Sequence, residues 1–124
     1  MIADTITAVV DALTAAGLRV AERYGDITPP VCYLQIGTVS TAGGVLAGAT
    51  VTTLYVYYIP VRGVDNLAGD AGGLDRLFAA VTPLAVADLV ATRTSVTVNA
   101  DTWPCYRADL AVLATETAAT LQEV

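Results

Sequence analysis

Residues 50–60 read TVTTLYVYYIP, a run made almost entirely of the threonine, valine, isoleucine and tyrosine residues that favour β-strands. Pro60 ends the run because it has no backbone N–H to contribute to a strand pairing. Side chains of a strand alternate between its two faces. One face of this strand therefore carries Leu54, Val56 and Tyr58, and the other carries Val51, Thr53, Tyr55, Tyr57 and Ile59. Neither face has a charge, so the sequence predicts a strand that needs cover on both sides.

That cover has to come from a second layer of the same chain or from a neighbouring subunit. The chain has 124 residues, which is the size of one domain. Only 15% of its residues are charged, against roughly 25% in an average domain, while 55% are hydrophobic. A surface with so few charges favours self-association over an isolated monomer.

Outward toward the N-terminus, apolar residues at three- and four-residue spacing predict a helix from Ile2 to Ala16, with Gly17 as its C-cap. A short strand is expected in Leu18–Tyr24, and two prolines then lead into a buried strand over Val31–Gly37. The glycine-rich, uncharged segment Thr38–Gly48 is expected to be a long hairpin loop.

Toward the C-terminus, a leucine-rich stripe predicts a second helix. Its firm part is expected at Gly73–Val81, because glycines weaken the preceding half, and Pro83 ends or bends it. Two strands are expected next, over Thr92–Asn99 and Trp103–Ala114, joined by a turn at residues 100–102. Residues 115–124 form a C-terminal tail without a core pattern.

These segments predict a single α+β domain over residues 1–124. Its element order is α-β-β-β-α-β-β, with a mostly antiparallel sheet of about four to five strands and two helices packed on one face.

The composition argues against several classes of function. Six arginines, no lysine and twelve acidic residues give a net charge of −6, whereas proteins that grip nucleic acid cluster basic residues. The chain has no histidine and no recognisable catalytic or metal-binding motif, so we expect no enzyme, metal or cofactor. The uncharged segment from Ile27 to Val61 is broken by proline and glycine, which excludes a membrane helix. Cys32 and Cys105 are expected to be small buried hydrophobic residues, or alternatively a disulfide between strands.

A cluster of tyrosines on the predicted strands is the least usual feature of the sequence. Aromatic residues on a sheet can stack single-stranded bases, but that mode needs interleaved cations, and none lies between Asp26 and Arg62. Core packing and subunit contact are the better interpretations. Arg107 and Asp109, two residues apart on one strand face, are expected to pair with each other or across an interface.

The overall pattern resembles the tail terminator family of long-tailed bacteriophages. The likeness is carried by the N-terminal helix ending at Gly17, by PPVCYLQIG, by the glycine-bearing loop, by TTLYVYYIPV leading into a leucine-rich helix, and by WPCYRADLAVLAT. It covers nearly the whole chain and is one of pattern and order, without a short diagnostic motif. Related neck and tail-completion proteins share much of it.

The resemblance implies a structural virion protein that forms a ring, expected to be hexameric, on the end of the tail tube. Such a ring stops tube elongation, offers a head–tail joining surface, and lets DNA pass without sequence-specific binding. Its partners would be copies of itself, the major tail tube protein and a head-completion or neck protein, in the neck region of a virion assembled in the host cytoplasm. Candidate subunit contacts are Tyr55, Tyr57, Arg62 and Arg107, and the loop residues that would reach the tube or a neighbour are Gly43, Gly44, Val45 and Leu46.

Two alternatives stay open at this point. One is another neck or head–tail connector protein, and the other, of a different class, is a module whose tyrosines bind a small ligand or a peptide.

Overall fold

The computed structural model describes residues 2–21, 27–42, 49–61 and 67–115. They form two helices, α1 and α2, and five strands, β1 to β5, in the predicted order. In chain order the elements are α1 (Ile2–Ala15), β1 (Val20–Ala21), β2 (Val31–Ala42), β3 (Ala49–Ile59), α2 (Leu67–Val81), β4 (Ala91–Val98) and β5 (Asp101–Thr115), with a 3₁₀ turn at Thr82–Leu84 after α2. The α+β class and the element order are therefore confirmed.

The strand singled out by its sequence lies at the centre of the sheet. The strand order is β1-β2-β3-β5-β4, so β3 has a partner on each side. The β1–β2 pair is parallel, and the other three pairs are antiparallel. Leu54 of β3 is opposite Ile36 on one side and Leu110 on the other. The mostly antiparallel sheet is thus confirmed.

Both helices pack on one face of the sheet, which we call the helical face. From the helices, Val9, Leu13, Leu77 and Val81 enter the core there. They contact the β3 face that carries Leu54, Val56 and Tyr58, together with Leu110 of β5. Nearly all of these side chains are fully buried, as the alternating pattern of residues 50–60 predicts.

Gly17 ends α1 in the predicted way. Its φ is +86°, a left-handed conformation that a glycine adopts without steric cost. The Leu18 N–H donates to the Leu13 carbonyl at 3.0 Å, and the Gly17 N–H donates to the Thr14 carbonyl at 3.0 Å. These two bonds define a Schellman cap, in which Leu18 and Leu13 share the same apolar cluster.

The expected loop over Thr38–Gly48 is wrong in its first part. β2 continues to Ala42, beyond a one-residue bulge at Gly37, and its last residues pair with the beginning of β3. Threonine and valine are good strand formers, and residues 38–42 pair with residues 49–53 of β3. The glycines further along the segment had led to the prediction of a loop. Residues 43–48 lie outside the described part of the chain.

α2 begins at Leu67, and its first half is helical throughout although its glycines were expected to weaken it. Tertiary packing overrides the weak helix propensity of its glycines. Gly73 is buried and packs directly against the ring of Tyr58. The α2 end at Val81 is as predicted, and Pro83 lies in the 3₁₀ turn that follows.

Smaller differences concern the strand ends. The expected strand Leu18–Tyr24 is described only as the two-residue β1, because residues 22–26 lie outside the described ranges. The β4–β5 turn falls at Asn99–Ala100, one residue earlier than predicted, and both residues have positive φ as a type I′ turn requires. β5 extends to Thr115, and residues 116–124 of the predicted tail are not described.

The two cysteines are free and buried, which confirms the expectation of small hydrophobic residues. Cys32 belongs to the cluster on the helical face, whereas Cys105 belongs to the cluster on the opposite face. Burial raises the pKa of the Cys32 thiol to about 12. It also raises the pKa of the Cys105 thiol to about 11, although the positive charge of Arg107 opposes this increase.

The contact between Gly73 and Tyr58 predicts opposite effects for two neighbouring glycine substitutions. A Cβ at Gly73 would lie closer than 3.0 Å to the Tyr58 ring, whereas a Cβ at Gly72 meets nothing within 4 Å. We expect Gly72→Ala to raise the free energy of unfolding by up to about 1 kcal/mol through helix propensity. Gly73→Ala should lower it by about 1–2 kcal/mol, because overpacking outweighs the same gain. Urea denaturation measures both, and equal stabilisation by both variants would contradict the packing argument.

The buried thiols predict a loss of stability in alkali. Ordinary thiols ionise near pH 9, but the two native thiols stay protonated to pH 11 or beyond. Their contribution is complete below pH 9, and the free energy of unfolding then falls by up to about 1.4 kcal/mol per pH unit for each thiol. Denaturation at pH 8.5, 9.5 and 10 measures this slope. The Cys32→Ala/Cys105→Ala variant should show a flatter slope between pH 8.5 and 9.5, and an unchanged slope would contradict the assignment.

Candidate functional site

The face of the sheet opposite the helices carries three of the predicted contact residues, Tyr55, Tyr57 and Arg107. We call it the open face, because no helix in the described part of the chain lies over it. Its centre is formed by side chains from the three central strands: Tyr33 and Gln35 of β2, Tyr55 and Tyr57 of β3, and Arg107 and Asp109 of β5. This is the second apolar side of residues 50–60, and it is where cover from elsewhere was predicted.

Tyr57 is the anchored member of this group. It is only 6% exposed, and its hydroxyl donates to Gln35 Oε1 at 3.0 Å. Its ring lies 6.3 Å from the ring of Tyr33, at an interplanar angle of 36°. Burial raises the pKa of Tyr57, and the positive charge of Arg107 partly opposes this increase. The Tyr57 hydroxyl is therefore protonated at neutral pH and can donate a hydrogen bond. Its bond to Gln35 links a side chain of β3 to a side chain of β2.

Arg107 is held from two directions. Its guanidinium carbon lies 4.6 Å from the centroid of the Tyr55 ring, in cation–π geometry. Its Nε is 3.0 Å from Asp109 Oδ1, which confirms the pairing within the strand. Both side chains are about half exposed, so this ion pair adds little stability, on the order of 0–1 kcal/mol. Its main effect is to fix the guanidinium in place over the tyrosine.

Tyr55 lies flat across β2 because Gly37 has no side chain. A Cβ at Gly37 would meet Tyr55 Cζ at 2.6 Å. Gly37 is also the residue at the β2 bulge. Sequence analysis missed both Gly37 and Gln35 as parts of this site, and the only available signal was a glycine interrupting an otherwise regular strand.

One end of the open face is covered by the chain itself. Val31, Ile59 and Cys105 are fully buried there, in a cluster with Val96 of β4 and Ile27 from the segment before β2. Cover by the same chain and exposure to solvent thus occur on one face. The exposed part lies toward Tyr55 and Arg107.

The outer edge of β2 is the second notable feature of this region. β1 pairs with β2 only at Cys32 and Tyr33. In the part of the chain that the structure describes, no strand pairs with the outer edge of residues 34–42, which read LQIGTVSTA and contain no charge and no proline. Ile36 and Val39 on this stretch are 51% and 44% exposed. Uncharged edges of this kind readily pair with another strand. We call residues 34–42 the free edge.

The structure brings together some of the predicted residues and separates others. Tyr55, Tyr57 and Arg107 meet on the open face, whereas Tyr58 and Tyr106 point to the helical face, where the Tyr106 hydroxyl donates to Asp70 Oδ2 at 3.3 Å. The remaining predicted contact residues lie outside the described ranges, namely Arg62, Gly43, Gly44, Val45 and Leu46.

Comparison with models of protein families gives no match for this chain, and comparison with curated protein sequences gives none either. Among the described residues, no group of three or more His, Cys, Asp or Glu side chains is placed to hold a metal ion. No helix in those ranges is long and apolar enough to span a membrane.

The bond between Tyr57 and Gln35 predicts a measurable difference between two tyrosines. Tyr57→Phe removes a partly buried hydroxyl that donates at 3.0 Å, and it leaves Gln35 without that donor. We expect the free energy of unfolding to fall by about 1 kcal/mol. Tyr33→Phe is the matched control, because the Tyr33 hydroxyl has no hydrogen bond within the described ranges. Urea denaturation of both variants measures the difference, and equal stability would contradict a structural role for the bond.

Proposed function

We propose that this chain is a structural subunit that self-associates into a ring and acts as a tail terminator of a long-tailed bacteriophage. The observation that carries the proposal is the uncharged free edge of β2 beside the exposed part of the open face. The resemblance of the sequence supplies the biological setting. Each further step rests on the shape and charge of the described residues.

The sheet supports a head-to-tail contact between subunits. Its two ends are different in the described part of the chain: β2 presents the free edge, with the short β1 beyond it, and β4 is the outermost strand on the other side. Pairing of the free edge in one subunit with β4 of the next is a heterologous contact, which closes into a ring when the rotation per subunit permits. The nine residues of the free edge span about 30 Å, enough for a long ladder of backbone hydrogen bonds.

Tyr55 and Arg107 are well suited to add side-chain contacts to such a pairing. Tyrosine and arginine are enriched where protein interfaces are most strongly bound. Gly37 and Asp109 already fix the positions of these two side chains, so little conformational entropy is lost when a neighbour covers them. Tyr57 is buried within the subunit, so in this proposal it supports the contact surface without touching the neighbour.

The charge of the chain is compatible with a DNA-conducting ring. A net charge of −6 per subunit repels the phosphate backbone, so DNA can pass without adhering to the wall. In this proposal the ring covers the last ring of tail tube protein, ends tube growth, and presents a surface to a head-completion or neck protein. The function is one of shape complementarity without catalysis.

The second candidate is a peptide-binding module, and the same free edge favours it. An extended peptide can add one strand to an exposed sheet edge and leave the protein monomeric. The two candidates differ in mass, which makes them separable by experiment.

Native mass spectrometry with negative-stain imaging tests the ring proposal. We expect a multiple of the 12.7 kDa subunit mass, with six as the expected number, and annular particles. Ile36→Lys/Val39→Lys places two charges on the free edge at exposed positions, and it should reduce the assembled fraction at least about tenfold while circular dichroism stays unchanged. Ala8→Lys/Ala15→Lys, with two charges on exposed positions of α1, is the matched control and should assemble normally.

Addition to growing tail tubes completes the test. A subunit that forms rings only on a tube end would be monomeric alone but would still stop tube growth. A monomer that neither binds nor caps tubes would overturn the ring proposal and favour the peptide-binding module. Equal assembly by the free-edge variant and the α1 control would exclude the free edge as the contact.

A further inference from the structure

A cleft on the helical side of the molecule is separate from the open face. It lies where the end of α1, the beginning of β2, the end of β3 and the first half of α2 meet, and its volume is about 530 Å³. This is within the range of about 300–1,000 Å³ that is typical of small-molecule sites. Leu18, Pro30 and Val61 form apolar walls, and Arg19, Tyr58, Asp70 and Arg76 supply the polar groups.

Tyr58 is the most informative residue of the cleft. The side chain is 5% exposed and lines the cavity, yet its hydroxyl has no hydrogen-bond partner among the described residues. Burial, together with the negative charge of Asp70, raises the pKa of Tyr58, so the hydroxyl stays protonated and can donate. The hydroxyl belongs to a residue that lines the cavity, so it is available to donate to an acceptor bound there.

The charges around the cleft favour an anion. Of the described residues that line it, Arg19 and Arg76 carry guanidinium groups and Asp70 carries a carboxylate. Asp70 already accepts the hydrogen bond from Tyr106, and Arg19 donates through one nitrogen to the Thr28 carbonyl at 3.2 Å. Arg76 is exposed and lies close enough for its charge to act on the Tyr58 hydroxyl. Arginine presents paired donors that match the geometry of a carboxylate.

The glycines of α2 explain why the cleft exists. Gly69, Gly72 and Gly73 line it, and their lack of side chains leaves the space between helix and sheet open. Gly73 also lets the Tyr58 ring lie against the helix, which directs the hydroxyl along the cavity wall. A Cβ at Gly72 would meet nothing within 4 Å, so helix propensity alone would favour alanine there. A binding site beside the helix gives a reason for glycine at this position.

We propose that this cleft binds a small organic carboxylate with a compact apolar body. Arg76 and the Tyr58 hydroxyl hold the carboxylate, with Arg19 adding positive charge, while the body lies against Leu18, Pro30 and Val61. Because the cleft and the open face are on opposite sides of the sheet, this proposal does not depend on ring formation.

Benzoate serves as the probe, in a titration followed by two-dimensional ¹H–¹⁵N NMR. We expect saturable shifts of the backbone amides of Gly69, Gly72 and Gly73. Benzyl alcohol, which has a similar body without the charge, should bind at least about tenfold more weakly, as a lost charge-assisted hydrogen bond predicts. Tyr58→Phe and Arg76→Gln should each weaken benzoate binding about tenfold. Tyr58→Phe keeps the ring against Gly73, and Arg76 is exposed, so both variants should fold.

Arg93→Gln is the matched control. Arg93 is exposed on β4 and does not line the cleft, so its loss removes one positive charge and should leave benzoate binding unchanged. The proposal is overturned if benzoate gives no saturable shift or if benzyl alcohol binds equally well. It is also overturned if Tyr58→Phe and Arg76→Gln both bind benzoate like the wild type. None of these results bears on the ring, which is assayed by mass.

Discussion

The whole structure depends on a central strand, β3, for which burial is favourable on both faces. β3 is apolar on both sides, and each side is covered in a different way. The helical face receives α1 and α2, whose buried side chains complete one core with Leu54 and Val56. The open face receives a smaller cluster from the chain itself and leaves Tyr55 half exposed. Incomplete cover of an apolar face is the physical basis of the proposed contact with a partner subunit.

Two contacts between a tyrosine and a glycine shape both sides of this strand. Tyr58 lies against Gly73 of α2 on the helical face, and Tyr55 lies across Gly37 of β2 on the open face. In each case the absence of a Cβ lets a large ring lie flat where it would otherwise be pushed outward. The first contact opens a cleft beside the ring, and the second positions a ring beneath Arg107. Features that weaken the secondary structure locally therefore create the surfaces with the most functional potential.

Sequence patterns predicted the elements well wherever one physical rule governed a segment. The left-handed cap at Gly17 and the alternation along β5 follow from short-range geometry, and both are confirmed. The errors arose where tertiary contacts competed with local propensity. The glycines of α2 suggested a weak first half, but the helix is continuous from Leu67, and Gly73 packs against Tyr58. The segment after Gly37 was predicted to be a loop because it is rich in glycine, but its residues up to Ala42 pair with β3 and belong to a strand.

The sequence by itself determined the class of fold, the central position of β3 and the sparsely charged surface, because alternation, turn residues and composition act over a few neighbours. The candidate sites were decided only by tertiary structure. Tyr57 and Gln35 are 22 residues apart in the chain, and Tyr106 and Asp70 are 36 apart. Only strand register and helix packing bring such side chains together. The same reason explains why neither the free edge of β2 nor the cleft beside α2 was visible in the order of residues alone.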